Sequence, residues 1–116
     1  MHKTVRNMIG EIQREALSPQ DMTPDRAAEL LVRLTALLSN VNEEIREAEF
    51  LYAQVLLSCL ASDEAANRAK IRAETTPSYL RKREARDTKE LALELARSLK
   101  YFLKAKSDEL QLSRHM

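Results

Sequence analysis

The chain has 116 residues, the length of one ordinary domain. Its single glycine, Gly10, and three prolines, Pro19, Pro24 and Pro77, leave little material for the tight turns of a sheet protein, whereas Ala, Leu, Glu, Arg and Lys abound. The formal net charge is +1, which selects no class of partner, and one glycine rules out a glycine-rich phosphate loop. An all-α fold follows from this composition.

The first predicted element is a short helix over residues 3–17. Val5, Met8, Ile9, Ile12 and Ala16 recur at three- and four-residue steps and give it one apolar stripe. Gly10 weakens this helix by about 1 kcal/mol relative to alanine. Ser18-Pro19 ends it, because a residue preceding proline avoids the α region.

Thr23-Pro24-Asp25 then opens a long helix with a capping hydroxyl, a proline suited to the first turn and an acid at the positive dipole end. Two lines of sevens follow. One reads Ala27, Leu34, Val41, Ala48, Val55, Ser62, Ala69; the other reads Leu31, Leu38, Ile45, Tyr52, Cys59, Ala66, Ala73. Such a repeat favours supercoiling against a neighbouring helix. Continuity of phase predicts one helix over 23–73, about 75 Å long at about 1.5 Å per residue. A break at Ser62-Asp63-Glu64, read as a cap and acidic first turn, is the competing prediction.

Thr75-Thr76-Pro77 predicts the next start, with Thr76 as cap, and a last helix over 77–113 whose apolar face is Leu91, Ala92, Leu95, Leu99, Phe102, Leu103 and Leu110. A short connection makes antiparallel neighbours. The expected unit is a single domain, a long antiparallel helical hairpin with its turn at 74–77 and the short N-terminal helix near the open end. Near that turn, small Ala66, Ala69 and Ala73 would face the charged stretch Arg81–Glu90 and form a thin, mobile end.

The long helix carries apolar residues beyond its two core lines: Leu30, Leu37, Phe50, Leu51, Leu56, Leu57 and Leu60. One antiparallel neighbour buries a narrow seam, so this surplus predicts further helix contacts. The first helix would cover part. Phe50, Leu51, Leu56, Leu57 and Leu60 form the candidate interface of a homo-oligomeric helical bundle, because large uncovered apolar patches are uncommon on soluble monomers.

Chemistry for catalysis is sparse. His2 and His115 sit at the chain ends and are poor candidates for a general base. Glu43, Glu44, Glu47 and Glu49 cluster, but a di-iron bundle needs Glu-x-x-His pairs, so they read as a solvated acidic face. Cys59 is the only cysteine; it reads as a core residue, and an intersubunit disulfide would form on oxidation if two long helices met there. Tyr52 reads as a core anchor, and Tyr101-Phe102 as a pair with Phe102 inward. No cofactor, metal or enzymatic activity is expected. Neither a secretory signal nor a membrane span is visible, and a cytoplasmic location fits the lone thiol.

Residues 68–86 hold a local basic block. Arg68, Lys70, Arg72, Arg81, Lys82, Arg83 and Arg86 stand against Glu74 and Glu84. A turn at 74–77 would gather them at one tip beside Tyr79 and Leu80. Phosphate binding, and hence nucleic acid, is one reading; an acidic protein surface is another; a solvated cluster with ion pairs to Glu64, Glu74, Glu84 and Asp87 is the plainest.

From Glu47 onward the long helix, the Thr76-Pro77 step, the Arg81-Lys82-Arg83-Glu84-Ala85-Arg86 run and the closing LKYFLKAKSDEL segment resemble small helical proteins encoded by phages and prophages. The resemblance covers about the last seventy residues. It implies an accessory role in phage DNA metabolism or host takeover and transfers no catalytic residue.

Overall fold

A computed structural model describes residues 3–115; His2 and the side chain of His115 lie outside the described residues. Four α-helices occur, α1 (Val5–Ala16), α2 (Pro24–Leu60), α3 (Ala66–Glu74) and α4 (Pro77–His115), with a 3-10 turn at Pro19–Asp21. No strand occurs among the described residues. The architecture is an all-helical hairpin in which α2 runs against the later helices. It packs as two compact units: one reaches Ser39 and resumes at Glu90, the other is Asn40–Lys89.

In the first unit, Thr4 starts α1 by accepting the Asn7 backbone N–H at 3.1 Å. Its apolar stripe buries Ile9 and Ile12 completely or nearly so, and α2 adds Ala27, Leu30 and Leu34, while α4 adds Ala92, Leu95, Ala96 and Leu99. Leu30, an apolar residue beyond the two heptad lines, is 1% exposed, so three helices share this core as its surplus apolar surface predicts. Thr23 caps α2 by accepting the Arg26 N–H at 3.1 Å.

Arg26 also fastens α1. Its Nε and Nη2 donate to the two carboxylate oxygens of Glu15 at 2.5 and 2.8 Å, and its Nη1 donates to Glu29 at 2.9 Å. The bidentate bond to Arg26 holds the Glu15 carboxyl below its ordinary range. A depressed carboxylate contributes stability at neutral pH and loses it as pH falls through that lowered value. Lys3 does the same for Glu11 at 2.7 Å, and its hydrogen bond likewise lowers that carboxyl.

Gly10 sits mid-helix in α1 beside a groove of about 430 Å³ lined by Lys3, Arg6, Asn7, Gly10, Glu11, Gln13, Arg14 and Leu91. A Cβ at Gly10 would meet only Arg14 Nη1, at 3.8 Å, which is ordinary contact. Gly10→Ala is therefore expected to raise stability by about 1 kcal/mol through helix propensity alone, read as a higher urea midpoint.

In the second unit, the sequence-based expectation of one helix over 23–73 fails. The 37-residue α2 ends at Leu60, and the chain reverses through residues 61–65 before α3. Ser62 is the local cause: its hydroxyl donates to the Cys59 carbonyl at 2.7 Å, competing with the next helical turn. Arg72 then closes the bend from the returning helix, pairing with Glu64 at 3.0 Å and donating to Ser62 Oγ at 3.5 Å. The competing prediction put a Ser62 cap here, but α3 starts later, at an Ala65 N-cap with no side-chain bond.

The Thr75-Thr76-Pro77 step is correspondingly a kink within the returning arm, not the hairpin turn. Thr75 keeps helix-like angles (φ −92°, ψ 0°). Thr76 reaches backward, its hydroxyl donating to the Ala73 carbonyl at 2.6 Å, while its own carbonyl accepts the Leu80 N–H. Pro77 opens α4, as its missing N–H suits a first helical residue. Contacts along the arms locate the reversal independently. Residues 62 and 64 meet 72, Tyr52 stacks obliquely on Tyr79 at 5.3 Å, and Glu49 pairs with Arg86. A turn at 74–77 would leave Tyr52 and Tyr79 roughly 30 Å apart at about 1.5 Å per residue.

Candidate functional site

Ala69 and Ala73 are fully buried, as their heptad positions predict, but what they face differs from the sequence reading. They pack with Tyr52 and Cys59, flanked by Val55, Leu56 and Tyr79, rather than against Arg81–Glu90. Alanine is suited to the place because tyrosine fills the volume opposite it. Ala66, by contrast, is exposed. Burial raises the Tyr52 hydroxyl above its ordinary value, with the Glu74 charge adding to the effect. Lys82 Nζ lies over the Tyr52 ring, 4.6 Å from its centroid, a cation–π contact. Cys59 is a core residue, as expected from its line.

The basic block does not gather at a tip. With the reversal at 61–65, Arg68, Lys70 and Arg72 lie on α3, and Arg81, Lys82, Arg83 and Arg86 lie farther along the same arm on α4. Arg72 pairs with Glu64, Arg81 with Glu47 at 3.5 Å, and Arg86 with Glu49. Lys82 covers Tyr52. Arg68, Lys70 and Arg83 are exposed and make no ion pair among the described residues. Four of the seven cations thus fasten the hairpin to itself. The acidic face over Glu43–Glu49 is partly their counterpart, since Glu47 and Glu49 reach across to α4. Sequence reasoning sought those partners on the same helix; the opposite signs at 47–49 and 81–86 carried the signal once the reversal is placed near residue 63.

The remaining feature is apolar and outward. On α2 the core lines pass through Ala48, Tyr52, Val55 and Cys59, all buried or half-buried. Phe50 and Leu57 fall on the opposite side and are 63% and 67% exposed; Leu60 is 42% exposed. With exposed Ala53 between them, they form a second stripe at steps of three, four and three residues. Of the five sequence-predicted interface residues, these three share the outer face, while Leu51 is half-buried and Leu56 packs inward against the core. In the first unit α1 supplies a third helix; in the second unit no further helix covers this stripe. Tyr101 is exposed and Phe102 half-buried, the split expected from their positions.

No described helix is long and apolar enough to cross a membrane. Among the described residues, no three His, Cys, Asp or Glu side chains converge to hold a metal ion. No family model, curated protein or solved structure matches the chain.

Proposed function

We propose that the chain is a non-enzymatic helical interaction protein, assembling with itself and acting as an accessory to another protein in the cytoplasm, in the manner of the small helical proteins that phages encode. The observation that carries this reading is the outer stripe of α2. Phe50 and Leu57 spend large apolar side chains on solvent at positions where the fold has no use for them. Surface apolar residues scattered singly need no explanation, but four in a row at helical spacing do. Pairing of helices through such a stripe would use apolar contact, while three ion pairs of the second unit tie its own segments together.

Self-assembly makes the thermal midpoint depend on protein concentration by mass action. The midpoint is expected to rise several degrees between low and high micromolar protein; a midpoint unmoved over that range contradicts assembly. The alternative reading, nucleic-acid binding through the basic block, draws on Arg68, Lys70 and Arg83, the three cations of the block with neither an ion pair nor a ring contact among the described residues. A salt-sensitive mobility shift abolished by replacing those three with glutamine would favour it over the first.

A further inference from the structure

The two heptad lines of α2 do not stop where α2 stops. Past Leu60 they continue in phase through Ser62, Ala66, Ala69 and Ala73, although the chain reverses in between. Ala69 and Ala73 are buried with Tyr52 and Cys59, but Ser62 is half-buried and Ala66 is exposed, so the hairpin leaves two core-line positions at its reversal unburied. The reversing segment is itself made of residues that suit a helix. Ala61-Ser62-Asp63-Glu64-Ala65 holds neither glycine nor proline, and none of these residues adopts a positive φ. No side chain caps the start of α3. The bend is closed by the Ser62 hydroxyl on the Cys59 carbonyl and by the Arg72–Glu64 pair, whose side chains are 49% and 36% exposed. A pair so exposed contributes at most about 1 kcal/mol.

We propose that residues 61–65 are a hinge through which two copies of the chain exchange arms. The segment straightens into helix and joins α2 to α3, and the returning arm of each copy packs on α2 of the other. The partner is a second copy because the complementary surface already belongs to the chain. Tyr52 with Ala69, Ala73 and Tyr79, and Glu49 with Arg86, re-form between copies residue for residue. These pairs are centred on the reversal, so the two-fold axis falls there, near Glu64 and Ala65. On a straight helix Ser62 and Ala66 stand on the face turned toward the other copy, and their small side chains suit a close crossing. Exchange thus gives the in-phase repeat a use that a hairpin loop lacks. It employs the inner face of α2 and none of the outer stripe, so it goes beyond the assembly proposed above and does not depend on it. Both arms must separate before exchange, so folded chains trade arms slowly and the dimer arises when chains refold together at high concentration.

Cross-linking across the arms tests exchange directly. The full chain carries Phe50→Ser and Leu57→Ser to remove outer-face association, with Cys59→Ala, Glu49→Cys and Arg86→Cys, so that a short bismaleimide joins residues 49 and 86. It is refolded from urea at low-micromolar or near-millimolar concentration, then diluted to one low concentration and cross-linked. Dilute refolding is expected to give links within one chain, at monomer mass. Concentrated refolding is expected to give a fraction linked between copies, at dimer mass. Ala61→Gly with Asp63→Gly, which disfavour a straight helix, is expected to lower that fraction about fivefold. Ser62→Ala with Asp63→Ala, which frees the Cys59 carbonyl and favours helix, is expected to raise it. The same hinge variants without the added cysteines should follow the same order in sedimentation of the refolded chain, with circular dichroism confirming helicity. A chain that links only within itself after concentrated refolding, in S62A/D63A as well, overturns the exchange. A dimer whose residues 49 and 86 still link within one chain overturns it too. Dimer-mass links in this background support exchange even if the parent shows no outer-face association, so the two readings fail separately.

Discussion

Leu34→Ala is expected to destabilise the chain by about 2–5 kcal/mol, the range for truncating a buried leucine. Leu34 is 0% exposed and stands in the first unit, where α1, α2 and α4 all contribute buried side chains. Its removal subtracts the transfer free energy of three carbons and leaves a void in the core of this unit. Ile9, Ile12 and Leu30 of the same unit are themselves buried in helices, so relaxation into the void is expected to be small. Val32→Ala, two residues away but 70% exposed, is expected to change stability by no more than about 0.5 kcal/mol. Urea unfolding followed by circular dichroism compares the two. Equal effects would mean that α1 does not close over α2.

Tyr52→Ala is the second large effect, expected at about 3–5 kcal/mol for loss of a buried aromatic side chain. Tyr52 touches the returning arm on both sides of its kink. Its cluster includes Ala69 and Ala73 of α3, and its ring meets Tyr79 and Lys82 of α4. Tyr52→Phe keeps the ring and these contacts and is expected to cost less than about 1 kcal/mol. Native-state hydrogen exchange should locate the loss: amides of α3 and the first turns of α4 open earlier in the alanine variant, and those of α1 do not. A Tyr52→Ala effect confined to residues 95–100 would instead support a hairpin turned at 74–77.

The starts of α1, α2 and α4 were legible in the sequence, whereas α3 was read as the continuation of α2. Thr23-Pro24 and Thr76-Pro77 mark helix starts because a proline at the first helical position loses no hydrogen bond. Ile9 and Ile12 identify the buried face of α1, and Ala27, Leu34, Val41 and Ala48 identify that of α2. The reversal was not legible, for a physical reason. Heptad spacing at Ala66, Ala69 and Ala73 asks only that these residues face a neighbour; a helix folding back meets the demand as well as one running on. Proline and threonine at 75–77 then drew the turn twelve residues too far along. The cross-helix partners of Arg81 and Arg86 depend on that placement, so they changed with it.

The candidate site was legible in part. Phe50, Leu57 and Leu60 exceed what one helical neighbour can bury, and the excess shows in composition and spacing alone. Leu51 and Leu56 lie at the shoulders of the core lines, where burial depends on how the second arm sits, and a single sequence does not specify that. The basic block looked like the richer site because charge is easily counted. Its pairing across the hairpin, invisible along the chain, turns most of it into a fastening.

Sedimentation equilibrium on the parent chain beside a Phe50→Ser, Leu57→Ser double variant tests the central claim most directly. Both residues are more than 60% exposed, so the variant should keep its helicity and its core. The parent is predicted to sediment as a dimer at high micromolar concentration and the variant as a monomer of unchanged circular dichroism. A monomeric parent at that concentration, or a variant that associates as the parent does, would contradict assembly through the outer face of α2.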